Sequence, residues 1–129
     1  MTFDVTLFLY CSIIIVTMKK IQLGEFEEVV LLTVGVLHGN AYGVTIKDEI
    51  EKRLDREVSI GSLQITLRRL ESKGFLKSKQ GDTNENRRGR PKLFFEITAY
   101  GKRALAYIKE SRDDLWKSLP DLVMKLKYA

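Results

Sequence analysis

Apolar positions change their spacing along this chain, and the changes divide it into elements. From Gly24 to Leu37 the residues Phe26, Val29, Val30, Leu31, Leu32, Val34, Val36 and Leu37 are apolar almost all round. Such a helix is expected to be buried on most sides, and in a small domain that points to a second copy of the chain as cover. Glu25, Glu27 and Glu28 fall in its first turn, where acids suit the helix dipole, so the pair Glu27–Glu28 reads as helix-terminus or surface acids. After a turn at His38-Gly39-Asn40-Ala41-Tyr42-Gly43, a second helix is expected from about Tyr42 to Asp55. Ile46, Ile50 and Leu54 face inward there, and Lys47, Asp48, Glu49, Glu51, Lys52 and Arg53 form a solvated side. Ser59 is placed to cap a third helix, Ile60 to Lys73, that Gly74 would stop. Ile60, Leu63, Leu67 and Leu70 share one face of it; Gly61, Ile65, Arg68 and Ser72 lie opposite, with Ser62 and Arg69 alongside.

The spacing then shortens. Phe75 to Gln80 and Leu93 to Thr98 read as two strands. The polar Gly81–Lys92 segment between them makes a long hairpin. Thr98 is placed to cap a last helix with apolar residues at heptad-like intervals: Leu105, Ile108, Leu115, Leu119, Leu122 and Leu126, with Arg112 breaking the register. That seam predicts helix–helix association, with core packing inside the monomer as the alternative. Pro120 should kink this helix or start a new one after Ser118. Three helices, a hairpin and a long helix predict a mainly α fold with a small β-hairpin: a winged helix-turn-helix over residues 18–98, and a C-terminal dimerisation helix over residues 99–129.

Charge sharpens this picture. The chain has 129 residues with 22 basic and 17 acidic side chains, a net +5. From Ser59 to Lys92 there are nine basic residues and three acids, net +6; the rest, with 13 basic and 14 acidic residues, is −1. The densest cluster, Asn86-Arg87-Arg88-Gly89-Arg90-Pro91-Lys92, stands at the mouth of the second strand. A winged helix-turn-helix places its third helix in the DNA major groove, and its hairpin, the wing, at the neighbouring backbone or minor groove. The sequence thus assigns double-stranded DNA as partner, read by Ser62, Gln64, Ile65, Arg68, Arg69 and Lys73 on the recognition helix and by Lys79, Arg87, Arg88, Arg90 and Lys92 on the wing. A bidentate arginine–guanine pair would discriminate bases, whereas a phosphate contact would raise affinity on all sequences. Dimer contacts are assigned to Phe26, Val30, Leu105, Ile108, Leu115, Leu119, Leu122 and Leu126.

Catalysis finds no support. No phosphate-binding glycine loop or nucleophile beside a histidine is visible, and Asp113 with Asp114 would diverge on a helix. One cysteine, Cys11, and one histidine, His38, allow neither an internal disulfide nor a Cys/His metal cluster. The sequence calls for no cofactor and no metal, and it suits a cytoplasmic protein. A winged helix used for protein–protein contact, tethered to a membrane by its first residues, is the rival reading.

Those first residues, 1–17, are strongly apolar and include Phe3, Leu7, Phe8, Leu9 and Ile13-Ile14-Ile15-Val16. They are shorter than the roughly 20 residues that span a bilayer, carry Asp4 where a signal peptide has lysines, and precede Met18-Lys19-Lys20. They are read as an upstream extension, with a membrane tether or an extra packed segment as alternatives; no stable membrane association is expected.

The stretches Tyr42-Gly43-Val44-Thr45-Ile46, Val58-Ser59-Ile60-Gly61-Ser62-Leu63, Thr66-Leu67-Arg68-Arg69-Leu70-Glu71-Ser72-Lys73-Gly74-Phe75-Leu76, Arg87-Arg88-Gly89-Arg90-Pro91-Lys92 and Ile97-Thr98-Ala99-Tyr100-Gly101-Lys102 resemble the PadR family of transcription regulators. The resemblance runs from about Leu23 to Ile108, with the short C-terminal part of the family's compact branch. It implies a homodimer built from the first and last helices, acting as a repressor at an inverted-repeat operator and released by a small aromatic or hydrophobic effector. It also implies that Trp116 contacts such a ligand, with dimer packing or partial exposure as the alternative. Gln64 departs from the family pattern, which often has an aromatic there.

If residues 1–17 are an upstream extension, the intact mass of the native protein will correspond to a chain starting at Met18; a mass that includes Met1 to Thr17 would refute that.

Overall fold

The computed structural model describes residues 21–81 and 92–125. Element order follows the hydrophobic pattern. Helices α1 (Glu25–Val36), α2 (Gly43–Leu54) and α3 (Ile60–Ser72) come first, then strands β1 (Leu76–Gln80) and β2 (Leu93–Ile97), then α4 (Ala99–Lys117) and the single-turn-length α5 (Asp121–Lys125). The strands pair antiparallel, Leu76 opposite Ile97 and Gln80 opposite Leu93. The result is the mainly helical winged helix-turn-helix with one hairpin that the sequence predicts.

One core joins these elements. Val30, Leu31 and Val34 from α1 meet Ile46 and Ile50 from α2, and Leu63, Leu67 and Leu70 from α3; Phe75, Leu76, Phe95 and Ala104 close it from the wing and α4. Ala41 is fully buried, and its carbonyl accepts a hydrogen bond from the Phe95 N–H at 2.8 Å. The wing is therefore stitched to the α1–α2 turn as well as to α3.

Local chemistry sets the helix ends. Ser59 Oγ accepts the Ser62 N–H at 3.1 Å, and Thr98 Oγ1 accepts the Gly101 N–H at 3.0 Å, so both side chains expected to cap do so. Glu27 reaches back to the Gly24 N–H at 2.9 Å, and Thr45 Oγ1 accepts the Tyr42 N–H at 3.0 Å. Pro120 separates α4 from α5, as the proline predicts.

Two expectations change: Leu54, expected to face inward with Ile46 and Ile50, is the last residue of α2 and is 48% exposed, and Ile60 also leaves the core. Ile60 was expected among the buried residues of α3 but is half-exposed; it stands in the first turn, beyond the reach of the core. In the single chain Leu32 and Val36 of α1 are 48% and 55% exposed, the side for which the sequence expects a second copy as cover. Of the two readings of Glu27 and Glu28, the structure bears out helix-terminus acids: Glu27 caps the Gly24 N–H and is buried against Lys73, and Glu28 pairs with Arg112 at 2.8 Å. That pair explains the break in the α4 pattern, since Arg112 reaches back to α1. The charged side of α2 is solvated as expected and laced by i,i+4 pairs, Lys47 with Glu51 at 2.9 Å and Arg53 with Glu49, which water screens strongly.

At Gly101 a Cβ would lie 2.3 Å from the Phe75 carbonyl oxygen, whereas at Gly61 it would meet nothing within 4 Å. Gly101→Ala is therefore expected to cost at least about 1–3 kcal/mol, and Gly61→Ala to gain up to about 1 kcal/mol from helix propensity. Urea midpoints measure both, and equal effects would refute the contrast.

Acid should also destabilise the fold through Glu27. Burial is the largest single influence on its carboxyl and pushes the pKa up. The Gly24 N–H, the Lys73 hydrogen bond and charge, and Arg69 together outweigh it, leaving the group below its ordinary 4.5. A depressed folded pKa gives stability that is complete above pH 4.5 and lost as pH falls below it. Glu27→Gln should lower the urea midpoint at pH 7 and reduce its decline toward pH 3.

Candidate nucleic-acid interface

Helix α3 presents two faces with different tasks. Leu63, Thr66, Leu67 and Leu70 are buried, and the Thr66 hydroxyl donates to the Ser62 carbonyl at 2.9 Å. Gly61, Ser62, Gln64, Ile65, Arg68, Arg69 and Ser72 are exposed. The core holds the first set and thereby aims the second at solvent. Gln64 lies against the start of α2, its Nε2 being 3.2 Å from the place a Cβ would take on Gly43. Glycine at the first residue of α2 lets the two helix beginnings sit together.

The cations of this region divide into those with an acidic partner and those without. Lys73 sits at the C-cap of α3; its Nζ donates to both Glu27 carboxylate oxygens, at 3.1 and 2.9 Å, and to the Gln22 carbonyl at 3.2 Å. The structure thus places it in a clamp between α3 and α1. Lys77 pairs across the hairpin with Glu96 at 3.5 Å. Glu71, the acid nearest the two arginines in sequence, is turned to the wing, where it accepts the Ser78 N–H and hydroxyl. Among the described residues, Arg68, Arg69, Lys79 and Lys92 have no carboxylate within ion-pair distance. Arg69 does contribute to the field that lowers the Glu27 pKa, so the two arginines differ in surroundings.

On the wing, Lys79 stands opposite Phe94 and is exposed. Lys92 holds its Nζ 4.6 Å from the centre of the Tyr42 ring, and that ring meets Phe94 edge-on at 5.3 Å. Tyr42 is thus a platform joining the base of the wing to the start of α2. The hydrophobic pattern does not reveal it, because an aromatic in a turn fits neither strand nor helix periodicity. Arg87, Arg88 and Arg90 lie outside the described residues, as does Leu126.

A second surface lies on the far side of α1. Val30 is buried in the core, and Phe26 and Leu105 pack against its edge. Ile108 is half-buried, and Leu115, Leu119 and Leu122 are exposed. The expected seam is therefore split: its first part serves the monomer core, and its last part faces outward. Trp116 is 63% exposed and borders an open hollow of about 470 Å³ with Leu32, Leu105, Ala106 and the Glu28–Arg112 pair. No described helix is long and apolar enough to cross a membrane.

Comparison with known proteins agrees with this fold. The family model described as the transcriptional regulator PadR-like family matches residues 31–107. Among solved structures, a PadR family transcription regulator from Clostridium difficile R20291 is 24% identical, with 74% of this chain and 97% of that one covered and a TM-score of 0.57. A PadR family transcriptional regulator from Eggerthella lenta DSM 2243 is 20% identical over 92% of this chain and 95% of that one, TM-score 0.59. The RosR structure from H. salinarum is 24% identical over 78% and 83%, TM-score 0.62. No curated protein sequence matches the chain. The family match runs from the middle of α1 through α2, α3 and the two strands to the first half of α4, and this protein belongs to the PadR-like family of transcriptional regulators.

Proposed function

We propose that this regulator is a homodimeric, sequence-specific DNA-binding repressor. The observation that carries the reading is the outward face of α3, where Arg68 and Arg69 stand exposed without carboxylate partners among the described residues, beside a hairpin that offers Lys79 and Lys92. Two cations on one helix face, two turns beyond Gly61 and the small Ser62, suit entry into a groove lined by phosphates. Lys73 has a smaller part than the others, since its charge is already spent on Glu27. Arg87, Arg88 and Arg90 belong to the segment between the two strands and would add phosphate contacts from the wing.

The dimer reading rests on exposed apolar surface. Leu32 and Val36 on α1, Leu115 and Trp116 on α4, and Leu122, Val123 and Met124 on α5 are each about half or more exposed. A cluster of this size on an isolated chain is a mark of an interaction face. A two-fold dimer reads an inverted repeat whose half-sites lie one or more helical turns apart, about 34 Å each. The hollow beside Trp116 is the place for an aromatic or hydrophobic effector, whose occupancy would alter how the two copies meet and so release DNA.

Fluorescence anisotropy of a labelled duplex, titrated with the full chain across a salt series, tests the DNA reading. Affinity should fall steeply with salt, with the log–log slope reduced by about 1 for each phosphate contact removed. Arg87, Arg88 and Arg90 changed together to alanine should flatten the slope. Arg68→Ala should either weaken binding to one sequence by about 1–3 kcal/mol, which marks base reading, or weaken all sequences alike, which marks phosphate. No binding at low salt would refute the proposal.

Light scattering should give twice the chain mass, and Leu115→Glu with Leu122→Glu should give a folded monomer. Planar aromatic compounds should quench Trp116 fluorescence; unchanged emission would remove the effector from the proposal.

A further inference from the structure

Ile65 is an apolar side chain that neither the core nor the α1–α4 surface explains. It is 56% exposed, in the middle of a helix whose core contacts come from Leu63, Leu67 and Leu70. At 100° per residue, Ile65 lies within about 30° of the direction opposite those three. One turn before it is Gly61, where a Cβ would meet nothing within 4 Å. One turn after it are Arg68 and Arg69, exposed and without carboxylate partners among the described residues. A branched hydrocarbon thus occupies the centre of a polar, cationic ridge. It has a small helix-propensity cost relative to alanine and makes no contribution to the core.

Resting on the DNA-binding reading above, we propose that Ile65 determines specificity by packing against the C5-methyl group of a thymine in each half-site. The major groove displays hydrogen-bonding edges and one apolar feature, that methyl group. Phosphates offer isoleucine nothing, and neither do the edges of guanine, cytosine or adenine. The open space at Gly61 lets the first turn of α3 come close to the base pairs, and Arg68 lies three residues on. That is roughly 4.5 Å along the helix axis, against about 3.4 Å per base-pair step. The thymine therefore lies one or two steps from the base pair nearest Arg68.

The test begins with selection of preferred duplexes from a random pool by the full-length protein. Each thymine of a selected duplex is then replaced singly by deoxyuridine, which removes only the methyl group, and affinity is read by anisotropy. One thymine in each half-site should weaken binding about four-fold on replacement, the worth of one buried methyl. Ile65→Ala should bind the original duplex more weakly and be indifferent to that replacement. Selected duplexes on which every uracil replacement is neutral for the wild-type protein would overturn the inference and leave the DNA reading intact. So would an Ile65→Ala protein that keeps the wild-type sensitivity to the same replacement. Absence of binding at low salt would overturn the DNA reading, and the thymine contact with it.

Discussion

The structure turns on the junction Gly74–Phe75. Gly74 takes a left-handed backbone at φ 85, the conformation that ends a helix with least strain for glycine. The Phe75 N–H returns to the Leu70 carbonyl and the Gly74 N–H to the Glu71 carbonyl, both at 3.0 Å, which satisfies carbonyls left open at the end of α3. Phe75 is buried, and Tyr100 stacks on it at 5.1 Å. The Phe75 carbonyl accepts the Thr98 N–H at 3.0 Å, and the Thr98 hydroxyl donates to the Gly74 carbonyl at 2.6 Å. Within two residues α3 ends, the hairpin begins and α4 is held in place. The close crossing at Gly101 follows from the same contacts, because α4 can start there only if its third residue has no side chain.

Once that junction is set, electrostatics sorts the charges. Four carboxylates draw basic residues or backbone N–H groups into the scaffold: Glu27 takes Lys73, Glu28 takes Arg112, Glu71 takes the Ser78 N–H and hydroxyl, and Glu51 takes Lys47 and the Val58 N–H. These tie α1 to α3, α1 to α4, α3 to β1, and α2 to the start of α3. Arg68 and Arg69, which the core aims at solvent, are left without a carboxylate partner among the described residues, and the acid closest to them in sequence, Glu71, is engaged with Ser78. The local positive surface is therefore a product of how acids are used in the scaffold as much as of how many bases the segment holds.

The apolar surface shows a similar division of labour. The chain has enough apolar residues on α1 and α4 for two tasks, a monomer core and an outer face, and Leu105 and Leu115 in one helix fall on different sides of that division. Proposed dimer contacts and the hollow at Trp116 both lie on the outer side. The proposed effector would act on the meeting of two copies; α1 borders the hollow through Leu32 and shares the core with α3.

Element order, caps and helix faces were legible in the sequence because each is a short-range property. Ser59 and Thr98 cap because a hydroxyl reaches an N–H three residues on, and Leu63, Leu67 and Leu70 share a face because the helix repeats every 3.6 residues. Charge density around α3 and the hairpin was legible for the same reason, as was the family pattern. Tertiary structure decided what depends on distant partners. It placed Lys73 against Glu27, 46 residues away, gave Arg112 to Glu28, set Lys92 over Tyr42, and left Ile60 outside the core. A side chain's spacing along its own helix fixes the direction it faces. What stands in that direction, whether carboxylate, aromatic ring or solvent, is set by the packing of elements far apart in the chain.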